Sequence, residues 1–186
     1  MHTLQWIAYN AHHIEAELDG KTVEQRLAYI GHSLQEDLEV LMGTEYNTSA
    51  WYDWFVVGGG RWNPEDTSGY NLKTNMFISY DTDPDKFTAK IAELVENRKT
   101  DYFKYLSEID FDTVKEKLNN YNGNIQFESF MDFYPLKQCI AFNNGIWGPD
   151  SKFFDIDTDS TNTEYCLNNL DKDGYLWYLI PVDFHF

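Results

Sequence analysis

Basic residues are scarce in this chain: fourteen Lys and Arg stand against thirty-one Asp and Glu, a formal net charge of -17. A field of that sign repels free DNA and anionic membrane while drawing in basic protein surfaces, or it serves solubility alone. Cysteine is nearly missing too. Cys139 and Cys166 form no CxxC pair and have no histidine at zinc-finger spacing, which excludes a disulfide framework and a cysteine-based zinc site. That usage points to a reduced, cytoplasmic setting. No stretch approaches the ~18 apolar residues of a membrane span, and the opening MHTLQWIAYNAHHIEAELDG has no basic n-region. Linkers, repeats and low-complexity tracts are absent as well.

Aromatic residues, by contrast, are abundant. At 17% aromatic and 42% hydrophobic, the chain has far more to bury than a disordered acidic polymer. One compact domain over residues 1–186 is expected.

Residues 4–9, LQWIAY, alternate like a strand with one buried face. Thr22 and Gln25 then stand at capping-box spacing before Val23, Leu27, Ile30, Leu34, Leu38 and Leu41, which recur at helical steps until Gly43. TNMFISYD at 74–81 reads as a strand. Asp83-Pro84 supplies an N-cap and first-turn proline for the helix KFTAKIAELVENRK, whose buried stripe is Phe87, Ile91, Leu94 and Val95. Further helix is expected in DYFKYLSEI, and Asp112 is expected to cap another in TVKEKLNNY, ended by Asn122-Gly123. The last third changes vocabulary: IQFESFMDFYPL, QCIAFNN and YLWYLIPVDFHF are aromatic and β-branched, divided by turn residues. This order predicts an α+β domain, a mainly antiparallel sheet with helices packed on one face.

The densest stretch is WYDWFVVGGGRW, residues 51–62. GGGRWNPED lacks both G-x-G-x-x-G and the P-loop Lys and Ser/Thr, which discounts a phosphate-cradling nucleotide loop. Two readings remain. In one, Gly58 to Gly60 only let the backbone bend at positive φ beside Trp51, Trp54 and Trp62. In the other, the bend presents Arg61 to a carboxylate or phosphate, with Trp54, Trp62, Gly59 and Gly60 completing a ligand site whose rings could stack unpaired bases. An ion pair of Arg61 with Asp53, stacked on an indole, is the competing arrangement.

In the closing VDFHF, Asp183 and His185 share one strand face, and an exposed face is expected. With Asp53 and Arg61 near, His185 would move a proton, Asp183 would orient it and Arg61 would steady phosphorane charge. RNA brings its own 2′-hydroxyl nucleophile, so this set of His185, Asp183, Arg61 and Asp53 requires no metal and no cofactor. A solvated strand face is the alternative. Asp155, Asp157 and Asp159 imitate half an EF-hand loop, but Ser160 replaces its glycine and Cys166 its glutamate. His12-His13 has no third ligand at helical spacing.

WYDWFVVGGGRW resembles the W-D-W-Y-x-I-G-G-R-W signature of an uncharacterised family scattered through phages, plasmids and bacterial genomes. Members carry a late "DG.W" turn and end in V-D-x-H-[IV]. Here NNGIWG stands at 143–148 and the chain closes with PVDFHF at 181–186, with three glycines where the signature has two. The chain is also similar, in size, acidity and setting, to mobile-element anti-CRISPR inhibitors of Cas9. That resemblance implies an inhibitor engaging a basic nucleoprotein surface, Cas9 with its guide RNA, through its acidic exterior. A small metal-independent ribonuclease or phosphodiesterase is the alternative, and an acidic binding module without a defence role is a third reading.

Overall fold

The computed structural model describes residues 2–43, 52–119, 153–155, 170 and 176–185. The strands expected in IQFESFMDFYPL and QCIAFNN, the NNGIWG turn, Trp51, and the 156–166 acidic loop lie outside the described residues.

Two long strands form the centre of the sheet. Strand β1 (His2–Asn10) runs antiparallel to strand β5 (Trp177–His185), in register from His2 opposite His185 to Asn10 opposite Trp177. On its other side β5 takes β2 (Trp54–Val57), opposite residues 182–185, and the two-residue β3 (Ile78–Ser79), opposite 178–179. Strand β4 (Phe153–Asp155) extends β1 in parallel, so the order is β2-β5-β1-β4. The strand expected over 74–81 shrinks to β3 because β2 already occupies the other half of β5. Thr74 to Phe77 turns instead, with the Phe77 amide donating to the Thr74 carbonyl at 3.0 Å.

Pro181 sits inside this central strand without cost to the ladder. Its carbonyl accepts from the Gly58 amide at 2.8 Å, and in a strand the same residue's nitrogen faces the same side. There β2 has ended and no donor is required.

Between β1 and β2 lie a 3-10 turn (His12–Ile14), the short α1 (Glu15–Leu18) and the long α2 (Val23–Gly43). The capping box forms: the Thr22 amide donates to Gln25 Oε1 (3.0 Å), and the Gln25 amide to Thr22 Oγ1 (3.3 Å). Helix α3 (Pro84–Glu108) starts where expected, with the Lys86 amide donating to the Asp83 side chain, and absorbs DYFKYLSE into one continuous helix. Helix α4 (Phe111–Asn119) is capped two residues earlier than expected. Asp110, not Asp112, accepts from the amides of Asp112 and Thr113.

The fold is α+β with a mainly antiparallel sheet, but its helices divide between both faces. Ile30, Leu34 and Leu38 of α2 pack with Ile7, Tyr9, Ile180, Val182 and Phe184. On the opposite face Phe87, Ile91 and Leu94 of α3 pack with Trp6, Ala8, Trp177 and Leu179. The alternation of LQWIAY implies helices on one face only, whereas Gln5 to Tyr9 are buried without a break. β5 is buried at every position from 177 to 184, the mark of a strand covered on both sides. Among the described residues no helix is long and apolar enough to cross a membrane.

Candidate active site at the histidine end of the sheet

Register alone brings three side chains together. His2, Trp54 and His185 occupy adjacent cross-strand positions on β1, β2 and β5, where opposed side chains touch. The imidazoles of His2 and His185 lie 4.8 Å apart edge to face, and the Trp54 indole stacks on His185 at 5.1 Å and 17°.

The glycine run then folds the chain back over β5. Gly58, Gly59 and Gly60 have φ of 97°, 91° and 47°, conformations that L side chains rarely adopt. Space demands glycine as well: a Cβ on Gly58 would meet the Lys73 carbonyl oxygen at 2.1 Å, and one on Gly60 would meet Asp183 Cβ and Oδ2 at 2.8 Å. The 3-10 turn Gly60–Trp62 follows, and its Arg61 amide donates to Asp183 Oδ2 at 3.3 Å.

Asp183 was expected on an exposed face; it is completely buried. The glycine turn and the side chains of Arg61 and His2 cover it. Such a carboxylate needs donors, and it has His2 Nδ1 on Oδ1 at 3.0 Å and Arg61 Nε beside Oδ2 at 3.5 Å, besides the amide. Arg61 can only donate, and its Nη2 meets His2 Nε2 at 2.5 Å. These contacts assign the His2 ring: proton on Nδ1, lone pair on Nε2. The Arg61 side chain stays half exposed.

Asp183 therefore buttresses His2 and not His185. His185 is held by Asp53, whose Oδ1 lies 2.5 Å from its Nδ1 while the Asp53 amide donates to the His185 carbonyl at 3.0 Å. The hydrogen bond from His185 holds the Asp53 carboxyl below its ordinary range. Among the described residues His185 Nε2 has no partner. The competing arrangement, an Asp53–Arg61 ion pair, gives way to Asp53–His185 and Asp183–Arg61.

All four expected residues, Asp53, Arg61, Asp183 and His185, thus meet in one network, with Trp54 inside it and Trp62 half exposed next to Arg61. Gly59 and Gly60 are buried beneath the turn and shape it; they are not themselves a contact surface. Sequence reasoning missed His2 and Tyr70. His2 enters only through the β1–β5 register, which no local pattern announces, and the Tyr70 ring lies 5.8 Å from Trp54. Among the described residues no group of three or more His, Cys, Asp or Glu is placed to hold a metal ion. A second polar cluster, Tyr9, His13, Ser33 and Asp37, sits at the far end of β1 and satisfies the buried Tyr9 hydroxyl. No family model, curated protein or solved structure matches the chain.

Proposed function

We propose that this site cleaves RNA by acid–base catalysis without a metal. One observation carries the reading: two imidazoles, each fixed through Nδ1 by its own aspartate, stand beside a half-exposed guanidinium. His185 Nε2 takes the proton from a ribose 2′-hydroxyl, whose oxygen attacks the adjoining phosphorus. Arg61 turns its donors onto the phosphoryl oxygens, where charge develops. Once Arg61 has turned away, His2 Nε2 takes up a proton from solvent before the step, and it gives that proton to the departing 5′-oxygen as the P–O5′ bond breaks. A 2′,3′-cyclic phosphate and a 5′-hydroxyl end result, and the two histidines have exchanged protonation states.

The charge of -17 favours a second, compatible reading. Long-range repulsion slows and weakens the capture of free RNA by such a body without forbidding it, whereas RNA mounted on a strongly basic protein is approached with attraction. The chain then acts in the cytoplasm as a mobile-element inhibitor of a host defence nucleoprotein, Cas9 with its guide RNA, by cleaving or competing for the guide. The test uses labelled guide RNA, alone and Cas9-bound, with wild type, His185→Ala and Arg61→Ala in the presence of a chelator. Wild type should yield cyclic-phosphate products while both variants lose at least about 100-fold in rate. Intact RNA in every lane eliminates catalysis. Salt-insensitive binding to Cas9 eliminates the electrostatic inhibitor.

A further inference from the structure

We infer that Tyr70 is the open end of a stacking platform that takes an unpaired base of a single RNA strand, an inference that rests on the RNA-cleavage reading. The Trp54 ring touches both Tyr70, tilted at 5.8 Å and 35°, and His185, stacked at 5.1 Å and 17°. Tyr70 is 71% exposed, so most of the residue is open to a guest.

An exposed aromatic on a surface loop is ordinary; one on a loop fixed this thoroughly is not. The buried Asp66 carboxylate accepts from the Ser68 amide and hydroxyl and from the Asn71 amide and side chain, at 2.8–3.2 Å. The Tyr70 amide in turn donates to Ser68 Oγ. Burial pushes the Asp66 carboxyl up, yet these donors together hold it below its ordinary range, as expected where the charged form organises the loop. Gly69, at φ 74°, lays the loop on the Arg61 backbone. A ring carried on a loop pinned in this way loses little further freedom on binding. On the RNA-cleavage reading the guest on Tyr70 is a base of the same strand whose phosphate Arg61 meets. Only an unpaired base can leave its own stack to lie on Tyr70, so duplex is rejected.

The test measures binding of a labelled 2′-O-methyl oligoadenylate, which lacks the nucleophile and cannot be cleaved, to wild type, Tyr70→Ala and Tyr70→Phe. Wild type should bind the single strand, Tyr70→Ala should weaken it about 5- to 100-fold, and Tyr70→Phe should stay within about twofold. The same sequence as a duplex should show no Tyr70 dependence. Equal affinity of wild type and Tyr70→Ala for the single strand overturns the platform, as does no binding by wild type, or binding of AMP with none of the strand. Uncleaved RNA with Tyr70-dependent binding defeats the cleavage reading and leaves the platform standing. Cleavage that ignores Tyr70 does the reverse.

Discussion

The three consecutive glycines offer a graded test, because each meets a different obstacle. Alanine at Gly59 adds a Cβ whose nearest neighbour is the flexible Met76 Sδ at 3.4 Å, so backbone conformation is the main penalty, about 1–2 kcal/mol. At Gly60 the new Cβ lies 2.8 Å from Asp183 Cβ and Oδ2 and 3.1 Å from Val56 Cβ. Those atoms belong to packed strands, and overpacking adds about 1–3 kcal/mol, for about 2–5 kcal/mol in all. At Gly58 the obstacle is backbone, the Lys73 oxygen at 2.1 Å and nitrogen at 2.7 Å, so the 73–76 segment must move and the loss should exceed about 4 kcal/mol. Urea unfolding followed by tryptophan fluorescence should rank the variants Gly59→Ala, Gly60→Ala, Gly58→Ala from mildest to worst. With m of about 1–3 kcal/mol/M, the Gly60→Ala midpoint falls by roughly 1 M or more. If Gly59→Ala unfolds as early as Gly58→Ala, or Gly60→Ala behaves like a surface substitution, the proposed contact between the turn and Asp183 is wrong.

Four other outcomes follow from the same geometry. Arg61→Ala strips the buried Asp183 carboxylate of its guanidinium; a half-exposed partner is worth less than a buried one, so urea melts should show a loss of about 1–3 kcal/mol. Asp53, Asp66 and Asp110 all hold their protons less tightly than the ordinary value of 3.8; for Asp110 the hydrogen bond from the Thr113 hydroxyl is the leading cause. A depressed folded value means stability that is complete above the ordinary value and lost as pH falls from there through the folded values, so thermal midpoints should drop below pH 4, and less steeply in Asp110→Ala. Thr22→Ala should cost about 1 kcal/mol by urea unfolding through the lost capping bond, and Asp110→Ala should cost a similar amount where Asp112→Ala costs little. Leu34→Ala and Phe87→Ala should each cost about 2–5 kcal/mol in the same assay, since each fills a different face of the sheet.

Helix starts were legible because their signals are local. Thr22 with Gln25, and Asp83 with Pro84, lie within one turn of the amides they satisfy. Asp110 was passed over for Asp112 because both residues suit a cap and only the backbone path decides between them. The strands β1 and β5 were legible from their apolar runs, yet their partners were not. Placement of helices on both faces depended on β5 becoming central, a long-range event.

The candidate site divides the same way. Asp183 and His185 share a strand face by the two-residue period of any strand, and Gly58 to Gly60 announce a bend at positive φ because only glycine tolerates it. Those features belong to the sequence by itself. Pairing His2 with Asp183, and His185 with Asp53, required the β1–β5–β2 register and a turn folded back across the sheet. Side chains up to 181 positions apart meet only through tertiary pairing, which no local pattern encodes.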